Sequence, residues 1–233
     1  DVACEKGNTY FVFDRGQTAK ISECCRLSFK LEKSDLDDAK TPWKMRYSAL
    51  QNVTINLPRI AYLAEGDDTR LFQILRQKIE LAVKAHLDKR AFIQQLLDHG
   101  PTGPLALLAM NLDGQSYLRM HRVTYLVGMV GLNEMVQEHL GQQLHDSEEA
   151  MRFGLKVIAH MKLLCDYFSN KHGMRFVLEQ TPAESTAYRF AKLDLNQHHE
   201  RARHIVKGDL FKGEVYYTNS TLFNVGSTVN PIE

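Results

Sequence analysis

Stretches that read as strands are separated in this chain by long helical stretches. Thr9-Tyr-Phe-Val-Phe13 is a short apolar and aromatic run with the signature of a buried strand. Gln51 to Leu57 alternates strictly, with Asn52, Thr54 and Asn56 on one face and Val53, Ile55 and Leu57 on the other, and Pro58 ends it. From Asp67 to about His99, Leu71, Leu75, Ile79, Ala82 and Ala85 recur at three- and four-residue steps and predict one long helix. Gly100-Pro-Thr-Gly-Pro104 breaks it. A second helix is predicted over roughly 124–140, through Leu126, Val130, Asn133 and Met135. A third starts at Ser147, an N-cap followed by Glu148 and Glu149, and closes at Gly173. Its apolar stripe reads Met151, Leu155, Ile158, Met161, Cys165, Phe168. Arg175 to Glu179 follows as a strand, a further helix begins at Thr181-Pro-Ala-Glu184, and Val215 to Phe223 is the last strand. The order implies an α/β fold rather than a helical bundle.

Composition narrows the function classes. Hydrophobic residues make up 44% of the 233, enough for a sizeable core. Lys and Arg total 29 against 28 for Asp and Glu, so no net charge marks the chain for nucleic acid or an anionic membrane. No apolar run reaches the roughly 18 residues a membrane span requires, and Asp1 to Gly7 lacks a signal-peptide pattern. The four cysteines, at 4, 24, 25 and 165, form no CxxC pair and no disulfide framework, which predicts a reducing cytoplasm. Without an initiator Met, and stopping at Asn230-Pro-Ile-Glu233, the chain reads as a piece of a longer protein, a single partial domain over 1–233.

Several segments carry chemistry. Cys24 and Cys25 precede Arg26 between a polar loop and Leu27-Ser-Phe29; two small hydrophobes would explain them, but a thiol beside an arginine fits reactivity better. Thr181-Pro-Ala-Glu184 reads as a capping box, with Thr181 as N-cap, Pro182 at the first helical position and Glu184 at the third. The same helix start, with Ser185 and Thr186, could equally hold a phosphate. Asn52, Thr54 and Asn56 face either solvent or a polar cavity, and their apolar neighbours favour the cavity. His198, His199 and His204 lack metal-ligand spacing and alternate with Arg201 and Arg203, so a solvated face is the better reading and no metal is expected.

Four blocks resemble, in order, segments of the anaerobic, class III ribonucleoside-triphosphate reductases: Gln51-Asn-Val-Thr-Ile-Asn-Leu-Pro-Arg-Ile-Ala61, Gly128-Met-Val-Gly-Leu-Asn-Glu134, Thr181-Pro-Ala-Glu-Ser-Thr-Ala-Tyr-Arg-Phe190 and Tyr216-Tyr-Thr-Asn-Ser-Thr221. The resemblance implies part of a ten-stranded α/β barrel with a central finger loop. It implies ribonucleoside triphosphates as substrates and Cys25 as the cysteine whose thiyl radical takes the 3′ hydrogen of the ribose. Glu184 would then be a carboxylate acting near the ribose, Asn52 and Asn56 would face substrate, and Ser185 and Thr186 would meet its phosphates. No cofactor is expected on this segment. A glycyl radical is expected elsewhere in the full protein, generated by an iron–sulfur S-adenosylmethionine activase, and the full enzyme is expected to be a homodimer. The N-terminal nucleotide-binding cone and the C-terminal glycyl-radical region are absent from these residues.

Two departures matter. The family's asparagine seven places ahead of Asn56 is Ala49 here, so Asn52 stands in its place. Formate-using members carry Met two residues before the radical cysteine; Glu23 occupies that position and favours a dithiol donor. Two alternatives remain: a glycyl-radical acyltransferase like pyruvate formate-lyase, which also uses adjacent cysteines, and a non-catalytic split barrel piece assembling with other chains.

Overall fold

The structure, a computed structural model, describes residues 20–24, 27–30, 41, 45–111 and 114–229, with only the backbone path of 20–24 and 27–30. The expected strand at 9–13 lies outside the described residues. Two compact units form. One takes the described residues up to Ala49 together with Leu96–Val123; the other takes Leu50–Gln95 and the described residues from Thr124 on. In the first unit, β1 (Lys20–Cys24) pairs antiparallel with β2 (Leu27–Lys30), with an irregular register between Ser22 and Cys24. The short α3 (Ala106–Ala109) belongs to it as well.

The second unit is built on a three-stranded sheet in the order β3 (Ser48–Asn56), β4 (Val123–Val130), β5 (Arg175–Glu179), with β4 and β5 parallel. The alternating strand turns straight into α1 (Leu57–Ala64): Asn56 Oδ1 accepts from Arg59 N at 3.2 Å, and Pro58 sits in the first turn, where its missing N–H costs nothing. Helix α2 (Asp68–Asp98) buries Leu71, Leu75, Ile79 and Ala82 as expected, each leucine or isoleucine contributing about 1.5–3 kcal/mol. Ala85 is exposed, and His86 takes the inward place. Its Nε2 donates to Leu126 O at 2.9 Å and its ring packs on Tyr125 and Phe176. Burial lowers the His86 pKa, so the neutral ring is the folded form.

The helix expected over 124–140 is instead strand β4 followed by α4 (Leu132–Leu140). All eight residues of β4 are buried, and a strand covered on both faces has no polar alternation to distinguish it from a buried helix. Gly131 makes the switch at φ 78°, where an added Cβ would lie 2.5 Å from Pro58 Cγ.

Helix α5 (Glu148–His172) begins and ends as expected, with Ser147 Oγ accepting from Ala150 N and Gly173 in the left-handed cap. Cys165 is buried and its thiol is pushed up to about 12, mainly by burial, so it is an unreactive core group. Leu155 faces out, the stripe running through Phe153, Val157, Met161, Cys165 and Phe168 instead. Then come α6 (Glu184–Gln197), α7 (His199–Ile205) and a hairpin of β6 (Lys207–Asp209) with β7 (Glu214–Tyr216).

The strand expected over 215–223 therefore ends at Tyr216 and belongs to its own two-stranded sheet. Beyond it the chain still borders the end of β4, because Gly131 N donates to Thr218 O at 2.9 Å and Leu132 N to Ser220 O at 3.2 Å. Buried Glu134 holds this segment by accepting from Thr218 N and Thr218 Oγ1 at 3.0 and 2.5 Å. Burial raises the Glu134 pKa against the opposing pull of Thr218 and Lys207. Among the described residues no helix is long and apolar enough to cross a membrane.

Candidate functional site

The polar face of β3 lies against the carboxyl ends of β4 and β5. Gly128 and Glu179 are register partners there, and the crevice outside strand carboxyl ends is the customary ligand position in α/β folds. Asn52 Nδ2 donates to Glu179 Oε2 at 2.5 Å and to Thr181 Oγ1 at 3.0 Å. Thr181 Oγ1 also reaches Glu179 Oε2 at 3.5 Å. The Glu179 residue is only 3% exposed, and a buried carboxylate is tolerable only with hydrogen-bond donors of this kind. Of the two readings of the polar strand face, the polar interior applies at Asn52.

Gly128 makes the convergence possible. A Cβ there would fall on Thr181 Oγ1 and lie 2.7 Å from Asn52 Oδ1 and 3.1 Å from Thr54 Oγ1. Gly128→Ala must displace at least two of these groups, so it is expected to cost about 1–3 kcal/mol. The urea midpoint of unfolding checks this; an unchanged midpoint would mean that the cluster yields without penalty.

Asn56 has its side chain fully engaged in the fold. Besides capping α1, its Nδ2 donates to Asp194 Oδ2 at 2.8 Å. Asp194 is fully buried and also receives Arg59 Nε at 2.6 Å and Tyr217 OH at 2.9 Å. Tyr62 and Tyr217 join hydroxyls at 2.9 Å, and burial raises both phenols well above their usual range. The side chain expected to face substrate therefore also caps α1 and ties it to α6.

Helix α6 starts differently from the expected capping box. Its first residue is Glu184, its N-cap is Ala183, and no side chain caps it. Thr181 has left the cap because its hydroxyl serves Asn52 and Glu179, so a tertiary demand overrides the local motif. The first-turn N–H groups around Glu184, Ser185 and Thr186 consequently have no side-chain cap, the arrangement that receives anions. Glu184 and Ser185 are exposed and Thr186 is half-buried. Glu184 also borders a cavity of about 270 Å³ lined by Tyr216, Thr218, Asn219, Leu222 and Phe223.

The structure brings Asn52 together with Glu179 and Thr181, and it gathers Glu184, Ser185 and Thr186 in one helical turn. Cys25 lies outside the described residues, so its expected neighbourhood with Glu184 does too. Sequence reasoning missed Glu179, Gly128 and Asp194. The signal for Glu179 was present: an acid closing the apolar run Phe176-Val-Leu178 at a strand's carboxyl end. Around the expected solvated histidine face, His198 stacks on Tyr62 at 5.2 Å, and Arg201 pairs with Glu138 at 2.5 Å and reaches Tyr62 O.

Comparison with known proteins bears directly on this arrangement. A family model described as anaerobic ribonucleoside-triphosphate reductase matches residues 1–233. The anaerobic ribonucleoside-triphosphate reductase of Salmonella typhimurium is 29% identical over 190 residues, 78% of this chain and 25% of that protein. The one from Escherichia coli is 27% identical over the same shares, and that of bacteriophage T4 is 26% identical over 78% of this chain and 29% of its own length. Among solved structures, the Thermotoga maritima anaerobic ribonucleotide reductase with citrate in the active site matches with TM-score 0.60 and 26% identity, covering 68% of this chain and 28% of that one. The same enzyme in complex with dATP and CTP matches with TM-score 0.59, covering 67% and 26%. The chain spans about a quarter of the length of the curated relatives it matches.

Proposed function

This chain belongs to the anaerobic ribonucleoside-triphosphate reductase family, and from that premise we propose that it supplies part of a catalytic barrel that converts ribonucleoside triphosphates to deoxyribonucleoside triphosphates. The observation that carries the reading is the polar cluster of Asn52, Glu179 and Thr181 over Gly128, with Thr181 three residues ahead of the uncapped start of α6. The uncapped turn with Ser185 and Thr186 would take the triphosphate, since free N–H groups and hydroxyls at a helix start suit anionic oxygens. Asn52 and Glu184 would face the sugar.

Cys25 would remove the ribose 3′ hydrogen, after which the 2′ hydroxyl leaves as water. Two electrons and two protons from a dithiol or formate complete the exchange, and Glu23 in place of Met favours the dithiol. A glycyl radical carried elsewhere in the longer protein, generated by an iron–sulfur S-adenosylmethionine activase, would supply the oxidant that converts the Cys25 thiol to its thiyl form. The enzyme would work as a cytoplasmic homodimer. The acyltransferase alternative draws only on the adjacency of Cys24 and Cys25, which the family match outweighs.

The test is anaerobic turnover by the full-length protein after treatment with its activase, with radical content measured by electron paramagnetic resonance. Each of the four ribonucleoside triphosphates is offered with a dithiol or with formate. Formation of at least one deoxyribonucleotide is expected. A radical-loaded protein that reduces none of the four would overturn the proposal.

A further inference from the structure

We infer that Glu179, together with Asn52, is the element that recognises the ribose diol of the nucleotide, a role distinct from that of Glu184. The inference rests on the functional reading above only for the identity of the ligand as a nucleotide; the recognition chemistry comes from the cluster itself.

Glu179 and Glu184 flank the same short connection, yet their surroundings differ. Glu184 is exposed on the first turn of α6. Glu179 is almost wholly buried at the end of β5, and the neighbouring Asn52 turns Nδ2 toward its carboxyl oxygen, which accepts that hydrogen. That orientation leaves Asn52 Oδ1 as an acceptor over Gly128, 2.7 Å from where a Cβ would stand. Buried Asn52 Oδ1 receives no donor among the described residues, which is costly unless a ligand provides one.

The cluster therefore offers a carboxylate and an amide oxygen side by side, and both accept. A ligand suited to it brings hydroxyl donors on adjacent carbons and no negative charge at that point. The sugar edge of a ribonucleotide has that character, while its phosphates do not. The anionic end belongs at the uncapped start of α6, which follows Glu179 in the chain by one short loop.

The inference is tested on the full-length protein by equilibrium dialysis with labelled CTP and with its 2′,3′-dideoxy analogue. The wild type is expected to prefer CTP by about 10- to 100-fold, the contribution of a hydrogen bond to a charged group. Glu179→Gln should lose most of that preference while binding the analogue as before. Glu200→Gln, which changes an exposed acid on α7, should keep the preference. Should Glu179→Gln fail to fold, Asn52→Ala is read in the same way, because it removes the acceptor over Gly128.

A wild type that binds both nucleotides equally overturns the inference, and so does a Glu179→Gln protein that still discriminates. These outcomes are independent of reduction. Discrimination lost in Glu179→Gln by a protein that reduces nothing would sustain the diol site and sink the reductase reading. Reduction by the wild type with discrimination intact in Glu179→Gln would do the reverse.

Discussion

In the full-length enzyme, Cys25→Ser is expected to abolish nucleotide reduction while Cys24→Ser leaves substantial activity. A sulfur that takes a hydrogen atom from ribose must stand in contact with that carbon, because small misplacement of reacting atoms costs orders of magnitude in rate. One pocket holds one reacting sulfur, so the two thiols are expected to take unequal roles. Cys24 is the last residue of β1 and is paired with Leu27 across the hairpin, while Cys25 is the one followed by Arg26, as the family's motif requires. Anaerobic turnover of both variants, with radical content measured in each, gives the answer. Equal loss from both substitutions would point to a mechanism in which the two thiols act in sequence, as in the lyase. Retained reduction in Cys25→Ser would remove the thiyl assignment altogether.

What was legible in the sequence follows from where each signal resides. Helix α5 was read correctly at both ends because its caps are local: Ser147 and Gly173 act on their own turn and need nothing from elsewhere in the chain. Strand β3 was read correctly because only one of its faces is polar, so the alternation survives in the sequence. Strand β4 was not, since burial on both sides erases the period that separates a strand from a helix. The capping box at Thr181 failed for the opposite reason. Its pattern was local and sound, but Asn52 and Glu179 offered the hydroxyl a buried partnership from far along the chain. The Asn-Leu-Pro-Arg block also carries architecture, at Asn56 and Arg59, which the alternation alone could not show because the partner, Asp194, lies far along the chain. Glu179, which holds Asn52 in place, lies two residues ahead of the block that begins at Thr181.

Asp194→Ala is expected to destabilise the chain by about 3–5 kcal/mol, the usual result of removing one partner from a buried ion pair. Asp194 is fully buried, and its two oxygens collect Arg59 Nε at 2.6 Å, Arg59 Nη2 at 2.5 Å, Asn56 Nδ2 at 2.8 Å and Tyr217 OH at 2.9 Å. Its loss strands a guanidinium with only 29% of its side chain exposed, together with an amide and a phenol that burial keeps protonated. Against a total stability of about 5–15 kcal/mol, that is a large fraction. Tyr217→Phe removes one donor and leaves the charge pair intact, so it should cost only about 0.5–1.5 kcal/mol. The contrast between the two, read from urea midpoints of the full chain, separates a charge hub from an ordinary packing position. The hub also ties α6, which opens at Glu184, to α1 and the end of β3. Asp194→Ala should therefore loosen the spacing between the uncapped helix start and the Asn52–Glu179 cluster. Its effect on nucleotide affinity in the folded fraction should exceed that of Tyr217→Phe. Equal midpoints for the two variants would show that Arg59 finds solvent at no cost and that Asp194 is not the hub.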